Sequence, residues 1–332
     1  MSTRLRVVFF GSDAIALPLL EWLAGEGSAR AEVAAVFTQP DREAGRGQKI
    51  QPGAIKTWAQ RHGLAVFQPE KITEEVRLQL TAVRPDLGLV MAYGHILRDD
   101  FIAVPRLGML NLHTSLLPRY RGASPIQSAV ASGERETGVT LMRIVRRLDA
   151  GPIIDAERVA IGALDTATEV EARLARACVP LLQRLVGRLE VGALVETPQR
   201  EADATYCRKL SKDDGALDLV APAATLAARV NGLFPWPSCV LTIGGQPIKL
   251  GLADVAPASA GDGSAAPGTV LGADESGLLV ATGAGVVRLR RLQRPGGKML
   301  PAPEFLRGFP ISSGTLLASR PMPGLVEGRP GG

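Results

Sequence analysis

The chain has 332 residues, enough for about two domains at roughly 150 residues each. It is 46% hydrophobic, 21% charged and 4% aromatic, which excludes a disordered or fibrous protein and makes a broad aromatic surface for single-stranded nucleic acid unexpected. The net charge of +5 is mild, but residues 281–332 hold eight basic and two acidic side chains, a pattern typical of a polyanion-binding or a solvated face.

The N-terminal part of the chain alternates short apolar runs with segments of helical period. Buried strands are expected at Leu5 to Phe10, Glu32 to Thr38, Leu64 to Gln68 and Asp86 to Ala92, and helices near Pro18 to Ala24, Ala54 to Arg61 and Ile72 to Val83. This alternation predicts an α/β domain with a Rossmann-like open parallel sheet and helices on both faces. Ligands of such sheets bind at the carboxyl ends of the strands.

A long helix is expected to close this domain. Thr166 and Glu169 have the spacing of a capping box, which satisfies free backbone N–H groups at the start of a helix. Apolar residues then recur on one face as far as Leu189.

The rest of the chain shows short apolar runs divided by glycine-rich turns, which is typical of a small β-barrel. Strands are expected at Cys239 to Ile243, Ile248 to Leu252, Gly268 to Leu271, Gly277 to Thr282 and Gly285 to Leu292. The predicted organisation is an α/β domain over residues 1–191, a linker over 192–210, an OB-like β-barrel domain over 211–318 and a disordered tail over 319–332.

Two polar residues follow a short strand predicted at Gly108 to Leu110. Asn111 and His113 lie two apart, so in an extended segment their side chains project from the same face. An amide and an imidazole on one face can both donate hydrogen bonds to a single oxygen. Taken alone, such a pair is more often a turn with a satisfied core histidine.

A carboxylate follows the next predicted strand, Thr140 to Val145. Asp149 lies in Leu148-Asp149-Ala-Gly151, where the glycine permits a tight backbone. A carboxylate that faces His113 would fix the orientation of the imidazole and could relay a proton through water. By itself, Asp149 is more typical of a turn residue.

Several motifs occur in the order of a known family. They are Val8-Phe-Phe-Gly11, Thr38-Gln-Pro-Asp-Arg42-Glu-Ala-Gly-Arg46-Gly47 with Lys49, Ala92-Tyr-Gly94, Asn111-x-His113, Ser115-Leu-Leu-Pro118-Arg-Tyr-Arg-Gly122, Leu148-Asp149-x-Gly151, Lys209-Leu-Ser-Lys212 and Phe234-Pro-Trp-Pro237. From about residue 5 to 310 the sequence resembles the methionyl-tRNA formyltransferases, within the wider family of enzymes that use 10-formyltetrahydrofolate. It departs from their pattern at Arg146 and Arg147, where an acidic residue and a glycine are common.

The resemblance implies a formyl transfer from 10-formyltetrahydrofolate to the free α-amine of methionyl-initiator tRNA. Asn111, His113 and Asp149 would be the catalytic residues of the α/β domain. Asn111 and protonated His113 would donate to the developing oxyanion, while Asp149 would hold His113 and help the proton to move. The folate site would be lined by Ser115, Leu116, Leu117 and Pro118.

The same resemblance implies two surfaces for RNA. The basic loop over 39–49 would enter the acceptor end of the tRNA, and the barrel would hold the phosphate backbone. A solvated basic surface is the alternative for both. The expected contacts are Arg42, Arg46, Lys49, Arg288, Arg290 and Lys298.

Metal, disulfide, nicotinamide and membrane sites are not expected. Three widely spaced cysteines without a CxxC pattern give neither a disulfide framework nor a zinc site, and acyl transfer can proceed without a metal. The third glycine of a dinucleotide motif is missing after Gly45-Arg-Gly47. The run Val7 to Phe10 is too short for a signal peptide, and no run approaches about 18 apolar residues. These patterns predict a cytoplasmic protein, and we expect a monomer.

Two other functions stay open on the sequence alone. Formyl transfer to an amino sugar or another small amine would use the same Asn, His and Asp chemistry without needing a basic barrel. A non-catalytic RNA-binding protein would need the basic surfaces but not Asn111, His113 and Asp149 together.

Overall fold

The computed structural model describes residues 4–44, 49–257, 260 and 264–328. The chain divides into two compact units. Unit 1 contains Met1–Arg121, Gly138–Val159 and Ala172–Ala204, and unit 2 contains Gly122–Thr137, Ala160–Glu171 and Thr205–Gly332. Both units therefore draw on the N-terminal part of the chain.

The strands are short and are distributed along the whole described chain. In chain order they are β1 Leu5–Gly11, β2 Ala31–Phe37, β3 Arg42–Ala44, β4 Lys49–Gln51, β5 Ala65–Phe67, β6 Leu87–Met91, β7 Met109–His113, β8 Arg121–Gly122, β9 Glu136–Arg143, β10 Ile153–Ala160, β11 Tyr206–Cys207, β12 Cys239–Ile243, β13 Gln246–Val255, β14 Val270–Ala273, β15 Leu278–Ala281, β16 Val286–Gln293, β17 Leu300–Pro301 and β18 Val326–Glu327.

The helices connect these strands. The α-helices are α1 Leu17–Ala24, α2 Ala54–Arg61, α3 Glu74–Val83, α4 Asp99–Ile102, α5 Pro125–Ala131, α6 Ala167–Glu190, α7 Ala223–Leu233 and α8 Ala302–Gly308. Short 3-10 segments lie at Ala14–Ala16, Glu26–Ala29, Glu201–Asp203 and Lys212–Gly215.

A seven-stranded sheet in the order β10-β9-β7-β6-β1-β2-β5 organises unit 1. The pairs from β7 to β5 are all parallel, so the predicted Rossmann-like fold class is confirmed. One strand departs from the expected parallel sheet, because β9 pairs antiparallel with β7. An antiparallel strand added to a parallel sheet is a common way to extend it towards its edge.

Aromatic and aliphatic side chains anchor the strands that lead to the carboxyl edge of this sheet. The ring of Phe10 stacks on Phe37 at 4.9 Å between centroids, and Phe37 stacks on Phe67 at 4.6 Å. At the end of β1, a Cβ on Gly11 would lie 2.5 Å from the carbonyl oxygen of Met91, so only glycine lets β1 and β6 approach there. The carboxyl ends of these strands are therefore held rigidly together.

The start of α6 carries the predicted cap. The backbone N–H of Thr166 donates to Glu169 Oε2 at 2.8 Å, and the N–H of Thr168 donates to Thr166 Oγ1 at 3.2 Å. Two N–H groups that the first helical turn leaves without helical partners are thus satisfied, and the helix runs on to Glu190.

Unit 2 is built on an antiparallel sheet in the order β12-β13-β16-β15-β14, with β17 added to β16. Along β16 the side chains of Val287, Leu289 and Leu292 are buried, while the residues between them face outwards. Helix α7 packs against β13 and completes the core. The small C-terminal β domain predicted from the short apolar runs is confirmed, and its sheet is antiparallel.

Residues 319–328, the first part of the tail predicted to be disordered, contact the rest of unit 2 in the structure. Strand β18 pairs antiparallel with β11, Leu325 is buried, and Arg208 donates to the carbonyl oxygen of Gly324 at 2.9 Å. The Gly and Pro content predicted disorder, but main-chain pairing and one apolar anchor compensate for it. Residues 329–332 lie outside the described residues.

All three cysteines are free and buried. Burial raises the pKa of Cys178 to about 12 and that of Cys239 to about 12. These two groups are almost entirely thiols at pH 8, and all three cysteines are buried, so we expect iodoacetamide to leave Cys178, Cys207 and Cys239 unmodified in the native protein. Mass spectrometry should count three added groups only after unfolding in guanidinium, whereas alkylation of the folded chain within minutes would contradict the packing.

Candidate active site

Strand β7 carries the two polar residues singled out from the sequence. Asn111 pairs with Val90 of β6 on one side and with Met142 of β9 on the other, and His113 pairs with Thr140. The Asn111 side chain is half-buried, and His113 is 7% exposed. Because they lie two apart on one strand, both project from the same face at its carboxyl end.

One ring nitrogen of His113 is fixed by a backbone group. Its Nε2 lies 2.8 Å from the carbonyl oxygen of Tyr120. A carbonyl can only accept, so Nε2 carries the proton and donates. Tyr120 presents this carbonyl from a left-handed backbone conformation, with φ of 57°. The other nitrogen, Nδ1, is therefore the atom through which His113 gains or loses a proton.

Asp149 faces that second nitrogen. Its Oδ2 lies 3.7 Å from His113 Nδ1, and both side chains are almost fully buried. This separation is longer than a direct hydrogen bond but within the reach of an ion pair when the imidazole is protonated. The structure thus brings together a carboxylate and an imidazole from distant parts of the sequence, next to the Asn111 side of β7.

A tight turn returns Asp149 to this position after β9. Asp149 has φ of 49°, a left-handed conformation that a short polar side chain tolerates better than most. At Gly151 a Cβ would lie 1.8 Å from the carbonyl oxygen of Arg143, so the turn closes only with glycine there. The turn after β9, and not the end of β9 itself, therefore places the Asp149 carboxylate beside His113.

The predicted folate residues form the loop that follows β7. The Ser115 hydroxyl donates to the carbonyl oxygen of Arg119 at 2.6 Å, and Thr140 Oγ1 donates to the carbonyl oxygen of Ser115 at 2.7 Å. Ser115 and Leu117 are buried, whereas Leu116 and Pro118 are half-buried. This loop also sets the carbonyl of Tyr120 against His113.

Two residues that the sequence analysis missed support the Asp149 turn. The Gln199 amide donates to the carbonyl oxygens of Asp149 and Gly151, both at 2.8 Å. Its oxygen accepts from Arg121, which is 1% exposed. Arg121 stands in the motif Pro118-Arg-Tyr-Arg-Gly122, but nothing local in the sequence connects Gln199 with it.

The first basic segment begins at an ordered polar junction. Arg42 is exposed, and its Nη2 donates to Gln39 Oε1 at 3.2 Å. Gln39 in turn donates to the carbonyl oxygen of Tyr93 at 3.0 Å. Arg46 and the side chain of Lys49 lie outside the described part of the chain.

The base of this segment is held by Asp41. Lys56 Nζ pairs with its Oδ2 at 2.5 Å, and Gln68 Nε2 donates to its Oδ1 at 2.8 Å. The hydrogen bond from Lys56 lowers the pKa of Asp41 below its usual value, and the hydrogen bond from Gln68 adds a smaller effect in the same direction. Arg42 therefore extends from an anchored strand end.

Arg288 and Arg290 lie on the outer face of β16 beside acidic residues. Asp254 stands directly opposite Arg288 in β13 and accepts from Arg288 at 2.7 Å and from Arg290 at 2.8 Å. Arg288 also donates to Asp274 at 2.9 Å. Partial burial raises the pKa of Asp254, but hydrogen bonds from the two arginines outweigh it and lower the pKa to about 2. Most of the charge of Arg288 and Arg290 is thus matched within the sheet.

Other basic side chains at the end of β16 are exposed. Arg291 lies on the same outer face of β16 as Arg288. Lys249 of β13 is paired in register with Gln293 of β16. Among the residues that the structure describes, no ion pair involves any member of this group. We call the group the β16–β17 basic face, and its members are Lys249, Arg291, Arg294 and Lys298.

Residues 4–44, 49–257, 260 and 264–328 contain neither a metal-binding cluster nor a membrane-spanning helix. No three His, Cys, Asp or Glu side chains lie close enough together there to hold a metal ion. Over that same part of the chain, no helix combines the length and the apolar composition that crossing a bilayer requires.

Two family models match the chain in order. The model described as formyl transferase covers residues 5–186, and the model described as formyl transferase, C-terminal domain, covers residues 209–310. A methionyl-tRNA formyltransferase of Ectopseudomonas mendocina is 44% identical over 301 residues, which is 90% of this chain and 93% of the relative.

Solved structures share the fold at low identity. An N-formyltransferase from Helicobacter canadensis, in complex with folinic acid and dTDP-3-aminofucose, has a TM-score of 0.62 and 16% identity over 87% of this chain and 99% of that one. HypX from Aquifex aeolicus, in complex with tetrahydrofolic acid, has a TM-score of 0.61 and 16% identity, and this chain spans 51% of its length.

Proposed function

The chain belongs to the methionyl-tRNA formyltransferases, and from this premise we propose that it transfers the formyl group of 10-formyltetrahydrofolate to the α-amine of methionyl-initiator tRNA. The observation that carries the proposal is the meeting of His113 Nδ1 with the Asp149 carboxylate at 3.7 Å, at the end of the strand that presents Asn111. The relative that is 44% identical over 90% of the chain supports the same activity.

The residues at this edge fit a formyl donor. The Asn111 amide is a neutral hydrogen-bond donor that suits an amide carbonyl, and the half-buried Leu116 and Pro118 offer apolar surface in the loop that follows β7. The related folds were crystallised with tetrahydrofolic acid and folinic acid, which supports a folate as the formyl donor of this chain. When bound, 10-formyltetrahydrofolate supplies the formyl group, and this chain supplies the hydrogen bonds and the proton path.

Asn111 is proposed to stabilise the negative charge that develops on the formyl oxygen as the amine attacks. Its backbone is held in β7 between Val90 of β6 and Met142 of β9 before the reaction, so the side chain needs little reorganisation as the charge grows. Donors preorganised in this way are usually the largest single contribution to acyl transfer.

His113 is proposed to move the proton from the attacking amine towards N10 of the folate. Its Nε2 is committed to the Tyr120 carbonyl, so the proton is taken and given at Nδ1. Asp149 faces Nδ1 and stabilises the imidazolium while it carries that proton. Once it holds the proton from the amine, His113 can donate from Nδ1 to the negatively charged formyl oxygen, which is the role that the resemblance implied for it. It then passes the proton to N10 as the bond between N10 and the formyl carbon breaks.

The tRNA is proposed to contact two exposed basic regions. Arg42 would meet the acceptor end, and the β16–β17 basic face would contact the phosphate backbone. We assign the backbone contacts to Arg291, Arg294, Lys298 and Lys249 in preference to Arg288 and Arg290, because Asp254 and Asp274 accept hydrogen bonds from the latter pair. Charged tRNA is a cytoplasmic substrate, so the proposed activity implies a cytoplasmic protein.

Arg42→Ala tests the proposed contact at the acceptor end. We expect kcat/KM for methionyl-initiator tRNA to fall about tenfold, since one charge-assisted contact to RNA is lost. The dissociation constant for 10-formylfolate, measured by fluorescence quenching, should stay within about twofold. An equal loss in both quantities would assign Arg42 to the folate site instead.

A small-amine acceptor is the nearest rival function, since one related fold was crystallised with an amino-sugar nucleotide. Initial rates should be measured with 10-formyltetrahydrofolate and either methionyl-initiator tRNA or dTDP-3-aminofucose, with His113→Ala as the inactive control. Formylation of the tRNA alone supports the proposal. Formylation of the amino sugar alone would replace it, and no transfer to either acceptor would favour a non-catalytic RNA-binding protein.

A further inference from the structure

A buried guanidinium lies behind the Asp149 turn. Arg121 is 1% exposed, and its Nη1 donates to both carboxylate oxygens of Glu201, at 3.2 and 3.1 Å. A charge this deeply buried is costly unless it is paired and hydrogen-bonded. The Nε and Nη2 groups of Arg121 both donate to Gln199 Oε1, at 3.1 and 2.8 Å.

These contacts determine which way the Gln199 amide faces. A guanidinium has donors only, so the amide oxygen must be the end that meets Arg121. The amide nitrogen then faces the turn and has two N–H groups. These donate to the carbonyl oxygens of Asp149 and Gly151, each at 2.8 Å. Arg121 thus orients Gln199, and Gln199 joins the two carbonyls of the turn.

We propose that Gln199, oriented by Arg121, is a positioning residue that holds the Asp149 carboxylate against His113. This inference rests on the proposed formyl transfer, in which Asp149 stabilises protonated His113. Gln199 touches no reacting atom: it contacts the backbone of the turn, Arg121 and the sulfur of Met142, which lies 3.9 Å from its amide nitrogen.

The turn needs such a support because its own backbone is strained. Asp149 has φ of 49°, which L residues rarely adopt, and Gly151 packs against the carbonyl of Arg143. A slightly relaxed turn would widen the 3.7 Å gap between the carboxylate and His113 Nδ1. Displacements of about 1 Å at a reacting group can lower a rate about 100-fold.

The same network accounts for Arg147 close to Asp149. The Arg147 guanidinium pairs with Glu201, the residue that also pairs with Arg121. Glu201 therefore joins Arg147, one of the two arginines that depart from the family pattern, to the support behind the turn.

Gln199→Glu is the most direct variant, because it keeps the shape and the acceptor for Arg121 but replaces the amide nitrogen by an oxygen. We expect kcat for methionyl-initiator tRNA to fall about 10- to 100-fold, with KM for both substrates within about twofold. Arg121→Lys, which keeps the charge but loses the fork of donors, should lower kcat in the same direction. Gln79→Glu on α3, the same chemical change away from the turn, is the matched control.

The decisive readout is the effect of Gln199→Glu in an Asp149→Asn background. A residue that acts through Asp149 should lower kcat by less than about twofold once that carboxylate is gone. An equal loss in both backgrounds, or wild-type kcat in both Gln199→Glu and Arg121→Lys, would overturn the inference. If the wild-type chain formylates no methionyl-initiator tRNA, it is the proposed function that fails.

Discussion

Replacing Asn111 by Ala is expected to lower kcat for formyl transfer about 100- to 1,000-fold with the fold intact. The side chain donates to the oxygen on which negative charge develops, and removal of one preorganised donor typically has this effect. Asn111 is only half-buried, so its loss should leave little destabilising cavity. Single-turnover rates at saturating 10-formyltetrahydrofolate measure the change directly.

The second asparagine of the chain provides the control. Asn231 is 3% exposed, and its amide exchanges two hydrogen bonds with the backbone of Ala253, at 2.9 and 2.8 Å. Asn231→Ala should therefore lower the Tm and leave kcat unchanged at temperatures where the protein is folded. Near-normal turnover in Asn111→Ala would remove this side chain from the mechanism.

The double variant Arg291→Ala/Lys298→Ala is expected to raise KM for methionyl-initiator tRNA about 10- to 100-fold. Both side chains are exposed on the β16–β17 basic face, where each could release counterions from an RNA phosphate. The slope of log KM against log salt concentration should decrease by about two, one for each lost phosphate contact. KM for 10-formyltetrahydrofolate should not change.

A matched pair of exposed arginines separates a local contact from a change in net charge. Arg61 and Arg84 precede β5 and β6, so they lie at the amino edge of the unit 1 sheet, opposite the proposed active site. Arg61→Ala/Arg84→Ala removes the same charge and should leave both KM and the salt slope close to wild type. Equal effects in the two pairs would mean that tRNA responds only to overall charge.

The parallel sheet was predictable because its signals are local. The run from Val7 to Phe10 is apolar on both sides, as a strand covered on both faces requires, and it lies in β1. The Thr166 cap depends on a residue only three positions away, and it forms as expected. Two-residue spacing also gave the shared face of Asn111 and His113 on β7.

The rest depends on which distant segments meet. The sequence shows that Asp149 follows a strand, but the antiparallel direction of β9 and the left-handed turn determine how it reaches His113. Gln199 lies 50 residues beyond Asp149, so no periodicity could join them.

The count of charged residues along the sequence was misleading for the same reason, because it does not show which distant residues pair. Arg288 contributes to the basic excess of residues 281–332, yet its partner Asp254 comes from the neighbouring strand β13. Only the register of β13 against β16 reveals that this charge is already matched. Only the three-dimensional structure distinguishes the exposed cations of the β16–β17 basic face from the paired Arg288.

A crystal structure of the protein with 10-formylfolate would test most directly whether Asn111, His113 and Asp149 act on one carbonyl group. We expect the formyl oxygen to lie about 2.7–3.2 Å from the Asn111 amide nitrogen, with His113 Nδ1 and the Asp149 carboxylate facing the formyl carbon from the same cavity. A ligand that binds with its formyl group away from His113, or with Asn111 turned into a separate pocket, would contradict it.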